Sequence, residues 1–169
     1  MKRHIMGVLL GVAILCQPIT VQANSLSYAP PEEVDGIPLE IRENAEIIGQ
    51  EFNICPELLE SIAYQESRFT ADIEAGSCKG LMQVNANCHK QRFIEAGWSQ
   101  AEWQDPYKNM YVAADYLRDL FDEYEDVGIV LGVYHGESNA VSKAKKGQLS
   151  SYVKQILKRS EEYERAHGK

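Results

Sequence analysis

The sequence has no apolar run long enough to cross a bilayer. Its longest, Ile5–Cys16, covers 12 residues against the ~18 that a spanning helix needs. No segment repeats at a period of 20 to 50 residues, which excludes a solenoid. Positive charge is scarce. The chain has 17 Lys and Arg against 25 Asp and Glu, a net charge of −8. That balance argues against nucleic acid and anionic membranes as partners. Cysteine is scarce too, with four in 169 residues and no C-x-x-C pair. His89 adjoins Cys88, yet nothing has the spacing of a zinc site, so a bound metal is not expected.

What is present begins with a targeting pattern. Lys2, Arg3 and His4 precede the apolar run, and Val21-Gln22-Ala23 offers a small-residue cleavage site. Residues 1–23 therefore read as a signal peptide of an exported, cell-envelope protein, with an uncleaved anchor as the alternative. Removing them takes away Lys2 and Arg3 and no acid, so the net charge moves from −8 to −10. A wall polymer, if that is the substrate, would then be held by shape and hydrogen bonds more than by overall charge. Residues 24–38 hold Pro30, Pro31, Gly36 and Pro38 without a helical period, and read as a flexible linker.

From Leu39 to Lys169 the pattern is that of one mainly helical domain. Ile41, Ala45, Ile48 and Phe52 share one helix face. A second helix opens at Pro56, a good first-turn residue. Ser99 and Glu102 fit a capping box. Asp105-Pro106 opens a long helix with Met110, Ala113, Leu117, Leu120, Phe121 and Tyr124 at core spacing. Val127–Tyr134 is apolar nearly all round, as in a short buried helix. Tyr152, Ile156 and Tyr163 mark a last amphipathic helix. Only the stretch Ala71–Gly80 is irregular enough for a hairpin or small sheet.

Glu66 stands out. In the helix from Pro56 to Ser67, Leu58, Leu59, Ile62 and Ala63 make one apolar stripe, and Glu66 continues it. Glu57 and Glu60 fall on the opposite side, so Glu66 is expected to be the one acid aimed inward. Burial disfavours the ionised carboxylate and raises its pKa. A proton kept near neutral pH makes a general acid. Periodicity alone leaves open a Glu that bends out to solvent or pairs with Arg68.

The blocks LLESIAYQESRF, GLMQVN, DPYKNMYVAADYLRDLF, LGVYHGES and SYVKQILK follow in that order. Together they resemble the soluble lytic transglycosylase catalytic domain (glycoside hydrolase family 23), whose fold is related to goose-type lysozyme. The resemblance runs from about Leu39 to Tyr163. It implies a lysozyme-like, mainly α domain with a small or absent β-hairpin beside the cleft. It implies Glu66 as the single acid/base, with Ser67, Met82, Gln83, Tyr134, His135 and Tyr152 toward the substrate, a peptidoglycan glycan strand. Glu66 would cleave the bond from N-acetylmuramic acid to N-acetylglucosamine. The product would be a 1,6-anhydromuramoyl end, formed without metal, cofactor or consumed water.

The chain departs from the family pattern at three places. His135 replaces the Asn of an Ala-Tyr-Asn motif, Val133 replaces its Ala, and the loop before Gly80 carries Cys78 in place of a Pro-x-Ala-x-Ser run. Three cysteines outlast the leader, so three pairings are open; the resemblance favours Cys55 with Cys78 over Cys78 with Cys88. Two other functions stay open. One is a hydrolytic muramidase in which Asp72 or Glu74 serves the attacking water. The other is a non-catalytic peptidoglycan-binding module of an envelope-spanning machine. The protein is expected to be a monomer, and a secretion, conjugation or phage apparatus is a possible partner.

Overall fold

The computed structural model describes residues 33–169. The expected signal peptide, 1–23, lies outside the described residues. Within them the chain forms seven helices and two small sheets. No helix among the described residues is long and apolar enough to cross a membrane.

The first ordered feature falls inside the stretch read as a linker. Strands β1 (Glu33–Val34) and β2 (Ile37–Pro38) form an antiparallel hairpin, with Val34 paired to Ile37. Ile37 is fully buried in the core. Burying an Ile side chain is worth about 1.5–3 kcal/mol, enough to anchor this hairpin. The globular part therefore begins at about residue 33 rather than at Leu39. Composition missed it because Pro38 and Gly36 serve a tight turn and a strand end as well as they serve a tether.

Helices α1 (Leu39–Phe52) and α2 (Pro56–Ser67) follow at the expected positions. Helix α2 is the centre of the domain. It packs against α1, against α4 (Pro106–Tyr124) and most extensively against α7 (Ser151–Ala166). Leu58, Leu59, Ile62 and Ala63 are buried as their stripe requires. The other side is covered as well, which overturns one expectation: Glu57 and Glu60 are both fully buried. Glu57 is met from the chain's end by Lys169 Nζ at 2.6 Å and His167 Nδ1 at 3.0 Å, and by Cys55 Sγ at 3.0 Å. Burial pushes its carboxyl up, but those three partners more than reverse this and hold it at about 2. Both oxygens of Glu60 have no partner among the described residues. Burial, and then the charge of Glu57, raise its pKa to about 8.

Between α2 and α4 the chain makes a three-stranded antiparallel sheet, β3 (Glu74–Ala75), β4 (Cys78–Lys79) and β5 (Val84–Asn85). Helix α3 (Lys90–Glu95) comes next. The capping box at Ser99 is present, but it opens a three-residue 3₁₀ turn, Gln100–Glu102. Asp105 caps α4 by accepting from the Lys108 amide at 3.1 Å. Helices α5 (Val127–Tyr134) and α6 (Ala140–Ala144) lead to α7, which Ser150 caps. The result is a mainly helical domain with its small sheet beside the C-terminal end of α2.

Candidate active site

Glu66 lies in the last turn of α2. The helix stops one residue later, where Arg68 and Phe69 both take left-handed backbone angles, φ 54° and 63°. Such a cap turns the chain sharply away and leaves the glutamate at an open end. Glu66 is half-buried. Its Oε1 accepts a hydrogen bond from the Tyr152 hydroxyl of α7. Burial raises the carboxyl above its usual range; the Tyr152 hydrogen bond and the nearby charge of His135 offset part of that rise. The structure places this acid on the face that the apolar stripe indicates, half-buried and bonded to Tyr152.

Tyr152 is buried, and its ring stacks on His135, centroids 3.8 Å apart and planes 12° apart. His135 is the residue just past α5, so α5 and α7 meet at this pair. Burial first, then the neighbouring charge of Glu66, push the Tyr152 phenol far up, so it stays a donor. Tyr134 lies near enough to Glu66 for the carboxylate's charge to help raise the phenol, after burial, and its hydroxyl donates to the Met82 carbonyl at 2.7 Å. The hydroxyl on Glu66 is that of Tyr152.

Three of the expected substrate contacts need correction. Met82 is fully buried, so its side chain belongs to the core, and its carbonyl is taken by Tyr134. Ser67 is buried and donates to Ala63 O at 3.0 Å within its own helix, holding neither Glu66 nor a cleft surface. Gln83 does line a pocket, but its Nε2 is engaged with Gly80 O at 2.9 Å and Ile73 O at 3.2 Å. It ties the hairpin loop to the Gly80–Gln83 turn.

The turn itself is fixed by a residue the sequence reading overlooked. Asn109 of α4 is fully buried. It accepts from Met82 N at 2.8 Å and donates to Lys79 O and Trp103 O, both at 3.0 Å. Gly80 has φ +80°, and a Cβ there would stand 2.3 Å from Asn109 Nδ2. Glycine is required on both counts. The only signal in the sequence was a polar residue next to Met110 in an otherwise apolar stripe. Asn109→Ala should strand three buried backbone groups, each costing about 1–3 kcal/mol if left unpaired. With relaxation and water entry we expect a net loss of about 2 kcal/mol, read as a lower urea midpoint with an unchanged slope. An unchanged midpoint would show that the turn does not depend on Asn109.

Beside Tyr134 and Gln83 opens a cavity of about 300 Å³, walled also by Cys78, Cys88, His89 and Tyr116. Tyr116 lies 5.9 Å from the Tyr134 ring and 4.5 Å from His89, which makes one wall aromatic. Asp72 and Glu74, candidates for a second carboxylate, are exposed on the hairpin. Lys79 holds Glu74 at 2.7 Å. Neither perturbs Glu66; His135 is the charged side chain that does.

The expected Cys55–Cys78 bridge is absent: Cys55, Cys78 and Cys88 are free thiols. Cys55 precedes α2 and donates to Glu57 Oε2, whereas Cys78 lies on β4 in the cavity wall with Tyr134. The charges of Glu66 and Cys78 both act on the Tyr134 phenol, which puts Cys78 toward the Glu66 end of α2, about 18 Å of helix from Cys55 and beyond the reach of a disulfide.

Compared with known proteins, residues 43–156 match the family model described as Transglycosylase SLT domain. No curated protein matches the chain.

Proposed function

The chain belongs to the transglycosylase SLT domain family, a family of lytic transglycosylases whose substrate is peptidoglycan, and on that premise we propose that it is an exported lytic transglycosylase with Glu66 as its single acid/base. The observation that carries the reading is the half-buried Glu66, its pKa raised, with no carboxylate among the described residues that shifts it. Ordinary glycosidases place two carboxyls across the scissile bond. A single carboxyl suffices when the substrate supplies the second group.

In this mechanism Glu66 gives its proton to the glycosidic oxygen, and the bond to the muramoyl anomeric carbon breaks. The 2-acetamido oxygen of the same sugar stabilises the positive carbon. Glu66, now a carboxylate, removes the proton from the muramoyl 6-hydroxyl, whose oxygen closes onto that carbon. The product is the 1,6-anhydro sugar, and Glu66 ends protonated as it began. Tyr152 occupies Oε1, so Oε2 is the oxygen that carries the proton. The same hydroxyl supports the carboxylate between the two transfers. Tyr134, by fixing Met82 O, positions the turn on the other side of the cleft. Incubating the purified protein with sacculi should release soluble fragments; intact sacculi would reject the enzyme reading. Export, with residues 1–23 removed and a mature start near Asn24, is part of the proposal.

His135 bears on the acid through its charge, which draws the Glu66 pKa down. His135→Asn removes that charge, so the alkaline limb of the pH–rate curve, which reports the proton on Glu66, should move to higher pH with the product unchanged. Superimposable pH–rate curves would show that His135 takes no part.

A further inference from the structure

One cluster of charge stands outside this machinery. The guanidinium carbons of Arg68 and Arg159 lie 4.2 and 4.0 Å from the ring centroid of Tyr64. Two cations thus share one aromatic ring. Arg42, Arg92 and Arg118 each meet a carboxylate, but Arg68 and Arg159 meet none among the described residues. Arg159 Nη1 donates to Gln65 Oε1 at 3.3 Å, and Arg68 is exposed. The two distances put the guanidinium carbons no more than about 8 Å apart, close enough to repel, and an oxyanion within reach of both would relieve that repulsion. Arginine forks suit carboxylate oxygens in particular.

The surrounding charge agrees. Between Glu137 and Glu161 there is no acidic residue; Lys143 and Lys158 pair with Glu137 and Glu162, which leaves Lys145, Lys146, Lys154 and Arg159 with no carboxylate among the described residues. In a chain of net charge −8 this is a local reversal of sign, and α7 carries part of it past the site. Tyr64 is two residues before Glu66. Arg159 is seven residues after Tyr152, on the same face of α7 and about 10 Å further along it. An extended peptide covers that distance in about three residues.

We propose that Arg68 and Arg159, held against Tyr64, form an oxyanion site that takes a carboxylate of the peptide stem carried by the glycan strand. The proposal rests on the peptidoglycan reading above and adds the part of the substrate that lies outside the sugar cleft. It also gives a local charge contact to a protein whose overall charge repels the wall.

The test reads binding, so that it stands apart from cleavage. In a Glu66→Gln background, which leaves strands intact, retention is measured on three forms of purified sacculi. One is untreated. One is freed of phosphate polymers with hydrofluoric acid. One has its stem carboxylates converted to methylamides by carbodiimide coupling. Adding Arg68→Gln and Arg159→Gln should lower retention about tenfold, the worth of one charge-assisted contact, on the first two forms and leave it unchanged on the third. Lys at both positions should keep most of the retention. Equal retention of the two proteins on untreated sacculi would overturn the proposal. So would a loss that vanishes on the phosphate-free form, which would assign the site to phosphate, or one that persists on the methylamide form, which would make the arginines structural. A tenfold binding difference alongside a wild-type protein that cuts nothing would support the site and reject the transglycosylase reading.

Discussion

Glu66→Gln is expected to abolish cleavage of peptidoglycan and leave the fold intact. Gln has the shape of Glu and can still accept from the Tyr152 hydroxyl, the contact that seats the side chain. It cannot donate the proton that the leaving oxygen needs or take one back from the 6-hydroxyl. A positioned general acid is worth about 10²-fold or more in rate, close to 3 kcal/mol of barrier. Here one group serves both transfers, so the loss should lie at the upper end. Stability should not fall, because burial already disfavours the charge that Gln removes. The check is turnover of labelled sacculi beside a melting curve. Near-normal turnover with a normal melt would remove Glu66 from the chemistry.

Glu60 carries the second large effect, on stability. Its carboxyl is fully buried without a hydrogen-bond partner among the described residues, and burial with the neighbouring Glu57 raises its pKa to about 8. An unfolded Glu titrates near ~4.3. Between these values the folded protein holds a proton that the unfolded chain has released. Stability is therefore full below about pH 4 and falls as pH rises through about 8. At pH 7 the cost is on the order of 3 kcal/mol. Glu57 has the opposite sign: its pKa of about 2 adds stability above the unfolded value and loses it only in acid, so the two windows do not overlap. Glu60→Gln should flatten the fall between pH 5 and 8 and raise the melting temperature most at the alkaline end. Urea midpoints measured across that range give the comparison. Parallel curves for the two proteins would mean that Glu60 is ionised in the folded state.

These two glutamates show where the sequence could be read and where it could not. Glu66 was legible twice over, as the acid that continues the Leu58–Ile62 stripe and as part of an ordered set of motifs. Helix positions were legible because their apolar periods are long, and Asp105 and Ser150 cap as their residue types require. Glu57 and Glu60 were misread. A period shows which face of α2 is apolar, but it does not show that α7 and the chain end, with His167 and Lys169, close over the other face. Those partners are more than 100 residues away in sequence. The same limit hid Asn109, whose three partners lie on the turn at Gly80 and on Trp103.

Of the residues the resemblance named, Tyr134, His135 and Tyr152 lie about Glu66, whereas Met82 and Ser67 are buried within the domain. Tyr134 and Tyr152 both reach the site, but Tyr152 holds the carboxyl and Tyr134 holds Met82 O. Motif position does not specify which hydroxyl reaches which oxygen, since that depends on how α5 and α7 pack. Met82 and Ser67 adjoin residues at the site, yet one is core and the other bonds its own helix. The cysteine pairing failed for a plainer reason: the two residues lie toward opposite ends of α2.

The central claim is that one carboxyl and the substrate's own groups complete the reaction without water. Mass spectrometry of the muropeptides released from sacculi by the wild-type protein tests it most directly. The account predicts fragments ending in 1,6-anhydromuramic acid, lighter by one water than the hydrolytic product and absent from the Glu66→Gln digest. Fragments ending in reducing muramic acid would contradict it, because a water would then have attacked the anomeric carbon in place of the 6-hydroxyl.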